Sequence, residues 1–377
     1  MNAMGQDEPA ILVETSPGEA RVAVAAGTTL LDYAIWRPGA PDGVGDLHRA
    51  RVTALAPALA GAFVVLADGQ SGFLPDSEGG AGLTEGTLLP VRVSRSAQGG
   101  KGPRLSARLP EVDRALAGDG PVRLVRHGPD PVRRFAALFP AAPVRLDDAA
   151  LAASLRPDLG PRLTLAAHPQ DAVAAEIEAL AETVAELPGG LRASFHPTPA
   201  LVAIDVDTGS ASADRQAKQT AQFAANRAAL PALARQIRLR NLSGAILLDL
   251  AGLSVRRRAA LGPDLARALA EDPLGPRLLG FTALGLAEIV RRREHPPLHE
   301  MLAGPHAAGL AALRRIAAMA AAEPARRFGL RAAPEVAARL AADPVALPDL
   351  ARRTGRTLVP VADPSLPRHG WVIEEIA

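Results

Sequence analysis

The stretch AlaLeuValAlaIleAspValAspThrGly, Ala200 to Gly209, decides how the chain is read. Val202, Ile204 and Val206 alternate with Ala203, Asp205 and Asp207, and side chains two apart in a strand share a face. The apolar set therefore faces a core, and the two carboxylates emerge together on the other side. A second apolar run, GlyAlaIleLeuLeuAspLeu (Gly244 to Leu250), carries a third acid at Asp249. Carboxylates at the ends of core strands are costly unless each is paired or holds a cation, and one or two hard oxygen ligands suit magnesium, which keeps several waters. The ordinary role of a lone Asp after a strand is a turn or helix cap. Three acids at two strand ends, with arginines at Arg227, Arg235, Arg238 and Arg240 between them, point to a cation beside groups that grip phosphate.

Around this stretch the chain is an ordinary globular one. It has 377 residues, 48% of them hydrophobic, and a formal net charge of +2, enough for two or three domains and uninformative about nucleic acid. There is no cysteine, which excludes disulfides, thiolate zinc sites and cysteine nucleophiles. No apolar run approaches membrane-spanning length, and Gln6, Asp7, Glu8 and Pro9 do not resemble a signal peptide, so a cytoplasmic, membrane-free protein is expected.

Towards the N-terminus, residues 10–36 predict short strands, and the breaker-rich segment Arg37 to Asp46 predicts a connection into a new unit. Five strands between His48 and Leu109 fit a small barrel of the oligonucleotide-binding kind. Phe63 and Phe73 fall on two of them. They could be core or a stacking platform for bases, with Arg49, Arg51, Arg92, Arg95 and Lys101 around them, and the pattern alone favours core.

From Glu111 to Gly190 helices are predicted to alternate with short strands, the clearest having Val173, Ile177, Leu180 and Val184 on one side and Glu176, Glu178, Glu182 and Glu186 on a solvated face. Beyond the Asp205/Asp207 strand a long helix is predicted, kinked or split by Pro231. A helix over Arg256 to Leu269, a strand at ProArgLeuLeuGlyPhe and a last helix ending at ArgArgArgGlu follow, implying a mostly parallel sheet with Asp205 and Asp249 at strand C-termini. His295, His299 and His306 are expected to be surface histidines rather than a zinc site. A small α/β unit closes the chain.

With these motifs in place, the chain resembles the ribonuclease E/G family of bacterial endoribonucleases. The resemblance rests on AlaLeuValAlaIleAspValAspThrGly, on ArgGlnIleArgLeuArgAsnLeuSerGlyAlaIleLeuLeuAspLeu (Arg235 to Leu250), on GlyAlaPheValVal, GlyPheLeuPro and GlyGlyLysGlyPro in the barrel, and on GlyLeuAlaGluIleValArgArgArg (Gly285 to Arg293). It implies an α/β multidomain fold. Residues 1–45 and 111–192 would be the two parts of an RNase H-like layer, 46–110 an inserted OB-type RNA-binding β-barrel, 193–300 a DNase I-like α/β catalytic subdomain, and 301–377 a linker and small C-terminal α/β domain. It implies a Mg2+-dependent endoribonuclease, with Mn2+ as a substitute, that cuts single-stranded RNA to leave 5′-phosphate and 3′-hydroxyl ends. Asp205 and Asp249 would bind the metal, Asp207 would stand where the family has Asn and complete the catalytic set, and Phe63, Phe73 and Lys101, with Arg235, Arg238 and Arg240, would contact RNA.

The departures matter as much. The family's zinc-sharing cysteines are missing, so any homodimer is without a zinc link. Between Arg108 and Val122 there is too little chain for a 5′-phosphate sensor, and Ala283 stands for the sensor arginine. Gly252 replaces a second acid, and Ser210 and Ala213 replace arginines after the Gly209 turn. The competing expectations are a catalytically weak or inactive RNA-binding member and, more remotely, a metal phosphohydrolase acting on DNA.

Overall fold

The computed structural model describes residues 8–208 and 215–376; Gly209, Ser210 and Ala213 lie outside the described residues. The chain divides into two compact units, one comprising Met1–Pro41, Pro131–Arg292 and Pro297–Ala377, the other Asp42–Asp130 and Arg293–Pro296.

In the first unit, β1 (Ala10–Ser16), β2 (Glu19–Ala26) and β3 (Thr29–Trp36) form an antiparallel meander. In the second unit, β4 (Leu47–Ala56), β5 (Gly61–Val65), β6 (Ser71–Pro75), β7 (Leu88–Arg95) and β8 (Arg104–Ser106) run in the order β5-β6-β8-β7-β4, and β4 pairs back onto β5 to close a five-stranded barrel. Its interior is filled by Ala50, Val52, Ala62, Val64, Leu74, Val91, Val93 and Leu105. Helix α1 (Glu111–Ala117) and strand β9 (Arg123–Arg126) follow. β9 pairs with Leu47–Arg49 of β4, so it belongs to the barrel unit and not to the α/β layer in which it was expected. Asp113 on α1 explains the attachment, since its buried carboxylate binds both Arg92 on β7 and Arg126 on β9.

Returning to the first unit, β10 (Val144–Leu146) and β11 (Leu163–Leu165) extend the meander in parallel to give the order β11-β10-β1-β2-β3. One face packs on α2 (Pro131–Leu138) and α3 (Ala149–Leu159) through Ile11, Val13, Val132, Phe135 and Leu155. The other packs on α4 (Ala174–Ala179) through Leu12, Ala23, Tyr33 and Ile177. The helix expected through Val184 stops early. Residues 184–187 are strand β12 (Val184–Leu187), in which Ala185 and Leu187 are buried while Val184 and Glu186 face out, a period of two that overrides the helical spacing.

The sheet that carries the acids has the order β12-β13-β14-β15-β17-β16, from β13 (Leu191–Pro197), β14 (Val202–Thr208), β15 (Gly244–Asp249), β16 (Arg277–Phe281) and β17 (Ala287–Arg291). The expected mostly parallel sheet is corrected here. Only β14 and β15 run parallel; β12–β13, β13–β14, β15–β17 and β16–β17 are antiparallel. The parallel step uses α5 (Arg215–Leu239) as its crossover, and α6 (Val255–Ala260) and α7 (Gly262–Leu269) precede β16. α5 runs unbroken through Pro231, because Ala229, Leu230, Leu233, Ala234 and Ile237 on both sides of it are locked into the sheet's core. The last helix expected before Arg293 is β17, with Ala287, Ile289 and Arg291 turned inward.

After α8 (Leu298–Leu302), the C-terminal part packs α9 (Gly304–Ala322), α10 (Pro334–Ala341) and α11 (Ala346–Thr354) with strands β18 (Arg327–Ala332), β19 (Val361–Ala362) and β20 (Trp371–Ile376), in the order β19-β18-β20. It is tied to the first meander by charge. Buried Glu19 on β2 meets Arg37 at 2.9 Å and Arg314 of α9 at 2.6 Å, and Asp148 meets Arg352 of α11 at 2.7 Å. Burial pushes the Glu19 carboxyl up, but Arg37, Arg314 and Arg21 outweigh it and hold it below its ordinary value of 4.5. A depressed carboxyl stabilises the fold above its unfolded pKa and loses that contribution as pH falls through the folded value. Thermal melting followed from pH 7 downward should therefore show stability falling below about pH 4.5, with a shallower fall in Glu19→Gln.

Candidate functional site

Strand β14 places the acids as the alternation requires. Val202, Ile204 and Val206 are buried, and Asp205 and Asp207 are exposed on the opposite face. The parallel pairing of β14 with β15 runs Val202 to Ile246, Ile204 to Leu248 and Asp205 to Asp249. Asp205 and Asp249 are thus direct cross-strand neighbours, and two like charges in that position repel unless a cation lies between or beside them. Here Arg258 of α6 supplies one, with Nη1 2.6 Å from Asp249 Oδ1. The contact is close but not aligned as a hydrogen bond: Asp249 Oδ1 and Arg258 Nε are both buried without a hydrogen-bond partner. Gly285, with φ +83°, lies against this arginine; a Cβ there would sit 3.2 Å from Arg258 Cδ.

An oxygen buried without an aligned donor, next to a second carboxylate, fits a hard divalent cation. Among the described residues no group of three or more His, Cys, Asp or Glu side chains is close enough to hold a metal. A cation here would have Asp205 and Asp249 as its protein ligands and keep most of its waters, which is magnesium's habit rather than zinc's.

The loop after Asp249 is held from α5. Asn226, 1% exposed, donates from Nδ2 to Ala251 O at 3.1 Å and accepts from Ala251 N at 3.1 Å, satisfying both backbone groups as a strand would. Gln219 Nε2 donates to Gly252 O at 2.9 Å, and Gly252, with φ +58°, lies so close to Gln222 that a Cβ would fall 2.4 Å from its Nε2. Sequence reasoning missed this clamp. The available signal was an amide in the apolar stripe Asn226, Leu230, Leu233, Ile237, where only a satisfied polar group belongs.

The three arginines expected to grip RNA are used otherwise. Arg235 donates to Leu30 O at 3.0 Å and pairs with Glu176 at 3.2 Å, and Glu176 also accepts from Leu30 N, so it is not part of a purely solvated face. Arg238 donates to Leu31 O at 2.6 Å and Glu271 O at 3.2 Å. Arg240 is 6% exposed, donates to Ala179 O, Leu180 O and Glu182 O, and stacks over the Phe195 ring at 4.4 Å. Burial pushes its guanidinium down to about 10, with the Glu182 charge opposing. Arg227 pairs with Asp264 at 2.9 Å. These side chains staple α5 to its surroundings.

His306 is also not the surface group expected. Its Nε2 lies 2.8 Å from the buried Asp343 carboxylate.

On the barrel, Phe63 and Phe73 lie opposite each other on β5 and β6 and point outward, their rings edge to face with centroids 5.7 Å apart. Their neighbours Ala62, Val64 and Leu74 fill the interior, so the core assignment favoured by the pattern alone is replaced by an exposed aromatic pair, with Phe63 37% accessible. Gly61 makes this arrangement fit, since a Cβ there would meet Phe73 Cζ at 2.6 Å. Lys101 is exposed at a two-residue hairpin closed by reciprocal Gln98–Lys101 backbone bonds, with Gly99 and Gly100 at φ +57° and +75° as such a turn demands. Arg49 and Arg92 do not join this surface: Arg49 binds Gly118 O and Gly120 O, and Arg92 binds Asp113.

Residues 157–294, which include the acid-bearing sheet, match the model of the ribonuclease E/G family. The chain is 35% identical to Ribonuclease G of Escherichia coli over 129 residues, 34% of this chain and 26% of that protein. It is 34% identical to Ribonuclease E of Nostoc sp. over 117 residues, 31% of this chain and 17% of that protein. The match thus spans about a quarter or less of each relative's own length. Motif, strand register and the family match coincide on the same segment, and it is through residues 157–294 that the chain is similar to the ribonuclease E/G family.

Proposed function

We propose that the protein is a magnesium-dependent endoribonuclease acting on single-stranded RNA, with manganese able to substitute, and that Asp205 and Asp249 are its metal ligands. The observation that carries this reading is the in-register pairing of the two aspartates, with Asp249 Oδ1 left without an aligned donor. A magnesium ion bound there would act as a Lewis acid towards the phosphodiester and the attacking water. The chain's part is to fix both carboxylates on core strands, to hold the Asp249 loop through Asn226 and Gln219, and to keep Asp207 on the same face as Asp205. Arg258 offsets part of the charge of Asp249. The exposed Phe63/Phe73 pair and Lys101 fit stacking and backbone contacts to a single strand. Cleavage by water would leave 5′-phosphate and 3′-hydroxyl ends.

We read the sheet order β11-β10-β1-β2-β3 as the RNase H-like layer and the acid-bearing sheet as the DNase I-like subdomain of this family. The link between β8 and β9 holds only α1, which leaves no room for a 5′-sensing domain. RNA with a 5′-triphosphate and the same RNA with a 5′-monophosphate should therefore be cut at similar initial rates, and a strong monophosphate preference would place a sensor elsewhere in the chain.

The contact of Arg258 with Asp249 favours one rival, an RNA-binding protein that does not cut. Matched RNA and DNA single strands incubated with magnesium separate the readings. Cleavage of RNA but not DNA supports the endoribonuclease. Binding without cleavage in either magnesium or manganese supports the rival, and equal cutting of both strands points to a less selective phosphodiesterase.

A further inference from the structure

Four strands of the barrel bring one row of side chains onto one face. Phe63 on β5 lies opposite Phe73 on β6, Phe73 opposite Arg104 on β8, and Arg104 opposite Arg95 on β7. Leu105, next to Arg104, is fully buried in the barrel, so the row faces outward. Arg95 joins it through an irregularity in the pairing, which steps from Val93–Leu105 to Arg95–Arg104. Without the extra residue Ser94, Arg95 would share the inward face of buried Val93, and re-aiming a side chain is a common use of such bulges. A third arginine arrives from a distant part of the chain. Ser96 N and Oγ both donate to Glu294 O, at 2.9 and 3.0 Å, which fastens the segment beginning at Arg293 to the end of β7.

Like charges directly opposite each other destabilise a sheet. Among the described residues, none of Arg95, Arg104 and Arg293 forms an ion pair or donates a side-chain hydrogen bond. Burial, then the nearby Arg104 and Arg293 charges, push the Arg95 guanidinium below its ordinary value, and no carboxylate opposes them. By contrast, Arg92 and Arg126 of the same unit share the Asp113 carboxylate. Three guanidiniums left together are complementary to an anion, and their planar donors suit phosphate.

We propose that Arg95, Arg104 and Arg293 form a phosphate-binding subsite that grips the backbone of single-stranded RNA beside the Phe63/Phe73 rings. Bases stack on the aromatic half of the row while phosphodiester groups lie on the basic half, about two strand spacings or ~10 Å away. The inference rests on the RNA-binding reading above and adds a subsite to it.

The test is fluorescence anisotropy of the full-length protein with a labelled A/U-rich RNA strand in EDTA, over a range of salt. Arg95→Gln and Arg104→Gln should each weaken binding about fivefold at ~0.1 M salt and reduce the slope of log K against log salt by about 0.7, the loss of one phosphate contact. Arg104→Lys should restore the slope, and Phe63→Ala should weaken binding with the slope unchanged. Thermal melting of each variant checks that the fold is kept, and Arg104→Lys serves if a glutamine variant fails to fold. If Phe63→Ala weakens binding but the double glutamine variant keeps the wild-type affinity and slope, the subsite is wrong and RNA binding by the barrel stands. If the wild type binds no single strand, the RNA-binding reading itself falls and the subsite with it.

Discussion

Asparagine in place of Asp249 is expected to slow RNA cleavage in magnesium on the order of a thousandfold, as does removal of a preorganised charge from a reacting phosphodiester. The substitution is isosteric, and Ile246 and Leu248, which anchor β15 in the core, are untouched. The melting transition should therefore move little, since what is lost is one charge partly offset by Arg258. Asp205→Asn should behave alike, because the two carboxylates are register partners. Asp207→Asn should not. That position carries an amide in the family pattern, so the variant should cut at least as fast as the wild type. Initial rates for the three variants on one RNA strand check the assignment; equal losses in all three would mean that the exposed face, and not the pair, is what matters.

Arg240→Met should destabilise the fold by about 3 kcal/mol, the range expected when a buried charged donor is removed and its acceptors are left behind. Its guanidinium satisfies three carbonyls, Ala179 O, Leu180 O and Glu182 O, and covers the Phe195 ring. Methionine keeps the stem's volume but none of the donors. Urea unfolding of the full chain measures the loss. If Arg240 instead contacted RNA, as its place in the motif suggests, the variant would bind RNA less tightly and unfold as the wild type does.

These two residues show what was legible in the sequence. Asp205 and Asp207 could be placed on one face because a strand's period of two is a local property, and the alternation of Val202, Ile204 and Val206 left little choice. That Asp205 lies opposite Asp249 could not be derived, since register across a crossover helix is set by tertiary packing. Charge and motif point the arginines of α5 and its C-terminal end towards RNA, but a guanidinium on a long stem reaches carbonyls on neighbouring elements that the sequence does not bring into view. Arg235, Arg238 and Arg240 all proved to be such staples. The five residues Ala287–Arg291 fit either period, and their pairing with β15 decides for strand. Pro231 ordinarily ends a helix; in α5 the burial of Leu230, Leu233 and Ile237 overrides that local cost. On the barrel, strand count and closure were legible, whereas the outward turn of Phe63 and Phe73 emerged only with their register, and Arg104 gave no signal of its own.

The most direct test of the central claim is manganese binding to the full-length protein, followed by electron paramagnetic resonance, for the wild type, Asp205→Asn and Asp249→Asn, with RNA cleavage measured on the same samples. The carboxylate pair predicts a bound ion in the wild type, lost together with cleavage in both variants. Cleavage that persists in either variant, or an ion held equally well by all three proteins, would contradict it.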